Sequence, residues 1–231
     1  MFLEEFPDEI LLIICSYLRP YDILKSFNDL NSRLNRTINV YRENIDFREL
    51  NLREFYFLCK LIQTRLAGKI RSIVLSNAPP AVRQLSLFRK HIQPFEDVLI
   101  NLECLTLIDH YDDELDLYFP LISSFNHLRE LKISFSKNQN ESILVEFLPQ
   151  IFAENFLFFD HVPKRRKYEL FNLEKFSLTG TGYLKLTPLS NPILKHLTIE
   201  IDSLDDLFQI FLGLHSLEYL NVYLKEFLSK K

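Results

Sequence analysis

Leu102-Glu-Cys-Leu105-Thr-Leu107 decides the fold, because its form recurs along the chain. Apolar, two variable residues, apolar, one variable residue, apolar: the same phrase reads Ile70-Arg-Ser-Ile73-Val-Leu75 before it and Leu128-Arg-Glu-Leu131-Lys-Ile133 after it. It returns as Leu173-Glu-Lys-Phe176-Ser-Leu178, Leu194-Lys-His-Leu197-Thr-Ile199 and Leu217-Glu-Tyr-Leu220-Asn-Val222, with a weaker edge version at Ile45 and Phe47. The last two apolar residues of each phrase are two apart. That spacing puts both on one face of a short strand and turns the residue between them to the other face. One such strand cannot bury its apolar face alone, whereas units stacked in parallel share one continuous core.

Helical patterns fall between the phrases. Phe55, Leu58, Ile62 and Leu66 stand three to four apart, as do Leu204, Leu207, Phe208, Phe211 and Leu212, with Ser203 as a cap and Gly213 as a stop. The phrases start 32, 26, 45, 21 and 23 residues apart, so the long interval holds either an insertion, at about 137–170, or a repeat that cannot be read. Inside it Ile143, Leu144, Phe147, Leu148, Ile151 and Phe152 trace one helical face, kinked or split at Pro149. The alternation of strand and helix predicts an α/β architecture with parallel strands.

The first 40 or so residues follow another pattern, that of three short helices. Pro7 suits a first helical position, with Asp8 and Glu9 where negative charge favours the helix dipole. This helix should end near Leu18, because Pro20 disfavours helical geometry at Arg19. Asp22 is expected to cap a second helix, and Asn31 or Ser32 a third. Ile10 to Cys15 are apolar in succession, so the first helix has no polar side. A head of this size cannot surround it, and the surplus must rest on the following array or on another protein.

Composition narrows the function classes. The chain has 231 residues, 47% hydrophobic and 25% charged, enough for a sizeable core and too apolar for a disordered chain. A net charge of −4 offers no excess of cations to displace counterions, so no nucleic-acid partner is expected. Only 4 glycines argue against a turn-dense sandwich. Cys15, Cys59 and Cys104 are widely spaced within apolar segments, which fits buried thiols in a reducing compartment. No stretch approaches the roughly 20 apolar residues of a membrane span, and the acidic start lacks a signal peptide's positive charge. The chain is therefore expected to be soluble, in the cytoplasm or the nucleus.

Catalytic constellations do not assemble. Asp109-His110-Tyr111-Asp112-Asp113-Glu114 has metal-binding residue types without a ligand spacing, and reads as a solvated loop. Thr179-Gly180-Thr181-Gly182 lacks the Gly-Lys-Ser/Thr of a phosphate cradle and reads as a tight strand exit. There is no Gly-x-Ser-x-Gly elbow. The basic run Lys164-Arg165-Arg166-Lys167 follows Pro163 in the insertion, where a solvated loop is expected over an import signal. No metal, cofactor or catalytic residue is predicted.

The segment Phe6-Pro7-Asp8-Glu9-Ile10-Leu11-x-x-Ile14-x-x-Tyr17-Leu18, with Asp22-Ile23-Leu24 and Leu30-Asn31-x-Arg33-Leu34-Asn35, resembles the F-box family. Phe6 stands where that family has Leu, and Leu34 where many members have an aromatic residue. The phrases in turn look like leucine-rich repeats of irregular pitch, a common companion of the F-box; regular ones run about 20 to 29 residues. His110, Ser136, Thr181, Asp202 and Lys225 stand where such repeats often carry Asn. The resemblance implies an F-box-like domain over residues 1–40 and an irregular leucine-rich repeat solenoid, with a curved parallel sheet, over 41–231.

It also implies a role: a substrate-recognition subunit of an SCF-type cullin-RING ubiquitin ligase. Phe6, Pro7, Ile10, Leu11, Ile14 and Leu18 would face the Skp-type adaptor, with Ile23 and Leu24 supporting them. The alternative is a protein-binding scaffold whose head is only a structural cap. In either case the strand faces opposite the core are the expected target surface. They carry Thr106, Glu130, Lys132, Lys175, His196, Glu200, Tyr219 and Tyr223.

Overall fold

Each phrase becomes a strand. A computed structural model describes residues 5–78, 83–110, 122, 125–135, 172–180, 191–201 and 204–224. The weak version at Ile45 forms β1 (Asn44–Asp46), and the six full phrases form β2 (Ser72–Ser76), β3 (Cys104–Ile108), β4 (Glu130–Ser134), β5 (Lys175–Thr179), β6 (His196–Ile201) and β7 (Tyr219–Leu224). The fold is α/β, and β1 with β2, then β3 to β7 in chain order, pair in parallel. From β2 to β6 the last two apolar positions of each phrase are buried. The residues between them are not. In β7 the corresponding Leu220 and Val222 are only half-buried.

The chain divides into two compact units, Met1–Leu102 and Glu103–Lys231. The boundary expected near residue 40 lies inside the first of them. That unit opens with α1 (Asp8–Ser16), α2 (Pro20–Phe27), α3 (Ser32–Thr37) and α4 (Asn39–Glu43), one helix more than the sequence reading placed there. The extra helix continues from α3 through Ile38. Its N–H still bonds the Leu34 carbonyl at 2.9 Å, while its own carbonyl accepts from Tyr41 at 2.9 Å, so no Pro or Gly separates the two helices. Pro20 occupies the first position of α2, where its missing N–H costs nothing. Asp22, expected as the cap, instead sits in the first turn and accepts from Arg19 at 2.9 Å. Asn31 does cap α3, accepting the Leu34 N–H at 2.8 Å.

After β1 comes α5 (Leu52–Leu61), which runs into a π-helical turn, Ile62–Leu66. Asn51 and Glu54 form a reciprocal capping box at its start. Phe55, Leu58, Ile62 and Leu66 are all buried, as their spacing predicts. Two helices that the periodicity did not reveal follow β2: α6 (Gln84–His91) and α7 (Phe95–Val98). They complete an aromatic core in which the Phe47 ring lies 5.0 Å from Phe55 and 5.4 Å from Phe88, and Phe88 lies 5.7 Å from Phe95.

Gln84 ties the exits of β1 and β2 together. Its buried side chain donates to the Phe47 carbonyl at 2.7 Å and accepts the Ser76 N–H at 2.8 Å. Its own N–H goes to the Asn77 side chain at 2.8 Å. Gln84→Leu should strand one buried donor and one buried acceptor and cost about 2 to 4 kcal/mol in denaturant unfolding. A loss below about 0.5 kcal/mol would show that the clip contributes nothing net.

In the second unit β4 and β5 pair as Glu130↔Lys175 and Ser134↔Thr179, so the longest interval leaves their register intact. The strand exits bond sideways: the Asp109 N–H reaches the Ser134 carbonyl at 2.8 Å, and the Phe135 N–H reaches that of Thr179 at 2.9 Å. Gly180 follows Thr179 with φ +74°, the tight exit expected of it. α8 (Leu204–Gly213) ends on Gly213 as its sequence requires. The helical face at 143–152, the insertion 137–170 with its basic run, and Ser203 lie outside the described residues.

Candidate functional site

Two surfaces present residue types that fit a protein partner. The first is on α1. Arg33 anchors this helix by donating to the Asp8 carboxylate at 2.8 Å and to the Phe6 carbonyl. That hydrogen bond holds the Asp8 carboxyl below the usual carboxylate range. Any stability it adds is therefore present above the carboxyl's ordinary value and is lost on acidification through the lowered one.

Packing divides the apolar run of this helix into an inward and an outward side. Leu11 and Cys15 are each 3% exposed, and Cys15 joins Ile23, Ile38 and the partly buried Phe27 and Tyr41 in a small core. The other side stays open. Ile10, Ile13, Ile14 and Tyr17 recur at one helical spacing; Ile14 is half-buried, but Ile13 is 54% and Tyr17 85% exposed. Leu18 and Leu12 flank this stripe and are also exposed.

Of the residues expected to face an adaptor, Pro7, Ile10 and Leu18 are exposed and Phe6 and Ile14 half-buried. Leu11, Ile23 and Leu24 are interior side chains of the first unit. Leu12, Ile13 and Tyr17 are not among the residues expected to face an adaptor, although Tyr17 belongs to the F-box-like segment. For Ile13 and Tyr17 the signal was present in their spacing from Ile10, but no polar side of the helix fixed its direction.

The second surface is the open face of β3 to β7. Parallel register lines up Cys104, Glu130, Lys175, His196 and Tyr219 in one row, and Thr106, Lys132, Ser177, Thr198 and Asn221 in the next. Glu200 pairs with Tyr223 beyond them. All eight expected target-facing residues are therefore on this face, and none is buried.

Lys132 Nζ lies 2.7 Å from Glu130. Partial burial alone would raise the Glu130 pKa. The Lys132 hydrogen bond, the charges of Lys132 and Lys175 and a contact from Cys104 outweigh burial and lower it. Glu130 in turn raises the Lys132 ammonium. At the far end the His196 and Tyr219 rings stand 5.8 Å apart, and Asn221 Nδ2 donates to the Tyr223 hydroxyl at 3.1 Å.

Other candidates carry less. Burial pushes the Cys59 thiol up to about 12 and also raises Cys15, so neither supplies a thiolate near neutral pH. A cleft of about 210 Å³ lies among Arg19, Tyr21, Asp46, Arg48 and Leu50. Its guanidiniums are engaged, Arg19 by Asp22 and Glu54 and Arg48 by Asp46. Among the described residues no three His, Cys, Asp or Glu side chains are grouped to hold a metal ion. His110 is buried, and residues 111–114 of that loop lie outside the described residues. No described helix is long and apolar enough to cross a membrane. No protein-family model matches the chain, and a search of curated proteins finds none similar to it.

Proposed function

We propose that this chain is the substrate-recognition subunit of an SCF-type cullin-RING ubiquitin ligase. Its F-box-like head docks a Skp-type adaptor, and its strand units, read as an irregular leucine-rich repeat solenoid, hold a target protein on their open face. Catalysis belongs to the partner ligase and its conjugating enzyme, in the cytoplasm or the nucleus. The reading rests on one observation above all. The segment that resembles the F-box keeps an outward stripe of Ile10, Ile13 and Tyr17, which a free surface does not require and a partner would cover.

Capture of purified adaptor by the full chain tests this. Ile13→Ala with Tyr17→Ala should weaken capture by roughly a thousandfold, since buried interface anchors commonly cost about 2 kcal/mol each. Circular dichroism should be unchanged, because both side chains point to solvent. Leu11→Ala is the contrasting variant: it opens a cavity in the first unit and should lower stability by about 2 to 4 kcal/mol. A wild-type chain that ignores the adaptor, or a double variant that binds it normally, would sink the reading.

The structural-cap alternative has its own support. Leu11, Cys15, Ile23 and Leu24 are buried within the unit that contains β1, and Arg19 reaches 3.0 Å to Glu54 across 35 residues. A head that serves only as a cap predicts no adaptor capture and a loss of folding when it is removed.

A further inference from the structure

β7 is paired on one side only among the described residues, with β6. The Tyr219 N–H donates inward to the Lys195 carbonyl at 2.9 Å. By strand alternation Tyr219, Asn221 and Tyr223 turn their backbone groups toward β6, and Leu220, Val222 and Leu224 turn theirs outward. Edge strands are usually protected by charge, proline or a covering element. Tyr-Leu-Asn-Val-Tyr-Leu has no charge and no proline, and Tyr219, Tyr223 and Leu224 are exposed. The preceding helix, α8, likewise exposes Phe208, Phe211 and Leu212. Among the described residues, exposed apolar side chains on the helix thus accompany a strand paired on one side only.

The sequence of the strand selects its occupant. Read in either direction from Asn221, residues 219–223 run apolar, then aromatic: Leu220 and Val222 flank it, then Tyr219 and Tyr223. Antiparallel pairing about Asn221 sets Tyr219 opposite Tyr223 of the partner subunit, and Leu220 opposite Val222 of the partner subunit. Every side chain then meets its own kind on its own face, and the outward amides and carbonyls of Leu220 and Val222 form the hydrogen-bonded pairs. A strand that reads alike in both directions matches a second copy of itself, which makes the contact twofold and closed.

We propose that β7 is a homodimerisation strand, two copies of this chain pairing antiparallel about a twofold axis at Asn221. The contact is independent of the adaptor reading, and it sets two open faces side by side.

Light scattering on the full chain over a wide concentration series tests it. The 27.5 kDa species should give way to one of twice that mass. Val222→Pro removes an outward amide at two places in the dimer and leaves the bonds to β6 intact, so it should stay monomeric with unchanged circular dichroism. Asn221→Lys and Asn221→Glu each place like charges opposite one another on the open face. Alone they should weaken the dimer by about fivefold or more, and an equimolar mixture should restore it. Should Val222→Pro fail to fold, the charge pair decides. A wild-type chain of single mass at every concentration, a folded Val222→Pro that still dimerises, or a mixture no tighter than its components overturns the proposal.

Discussion

Phe47→Ala should cost the first unit about 3 to 5 kcal/mol, the range for removing a fully buried aromatic ring. Phe47 is fully buried, and its ring stands at the centre of the cluster, near Phe55 on one side and Phe88 on the other. Truncation forfeits the transfer energy of the ring, its tilted contact with Phe55 and its edge-on contact with Phe88, and leaves a void in the cluster. Its carbonyl also receives the Gln84 amide, so any shift of the backbone disturbs that clip as well. Guanidinium unfolding should show a lower midpoint at an unchanged slope. Phe47→Leu should recover much of the loss, because it refills most of the volume. If Phe47→Ala moved stability by less than about 1 kcal/mol, the cluster would not be the core of this unit.

A comparable loss, about 3 to 4 kcal/mol, is expected for Gly180→Ala in the second unit. Two independent costs combine there. At φ +74° an L side chain is strained by about 1 to 2 kcal/mol. A Cβ would also overlap the carbonyl of Phe135, the residue whose N–H is bonded to Thr179. The side chain cannot swing away from backbone, so the β4 and β5 exits must separate to admit it. The contrast is Gly68, where φ is +70° but the nearest side-chain atom is 3.9 Å from an added Cβ. Gly68→Ala should lose only the conformational part, about 1 to 2 kcal/mol. Equal losses at the two glycines would show that the close approach at Phe135 is not a constraint. On the open face, Tyr219→Ala should leave thermal stability nearly unchanged.

The strands were legible because a period of two is local: Leu131 and Ile133 declare their face without help from any distant residue. The rows on the open face followed for the same reason, since parallel register carries one phrase onto the next. The orientation of α1 was not legible. The run Ile10 to Cys15 has no polar side to read, and its inward side is the one that meets Ile23 and Ile38, residues farther along the chain. Gln84 was hidden likewise, because its value lies in carbonyl and amide groups 37 and 8 residues distant. α4 and α6 are short, and packing rather than periodicity decides such segments.

The unbroken pairing of Glu130 with Lys175 has a further consequence. Neighbouring strands here meet in the same way whether 21 or 45 residues separate their phrases. Register is written in the strands, and the length of the connector between them does not enter it. Chain length between β4 and β5 can therefore grow, shrink or be exchanged over generations without renegotiating the sheet. New binding chemistry can be tried at that seam while the ladder beside it stays fixed.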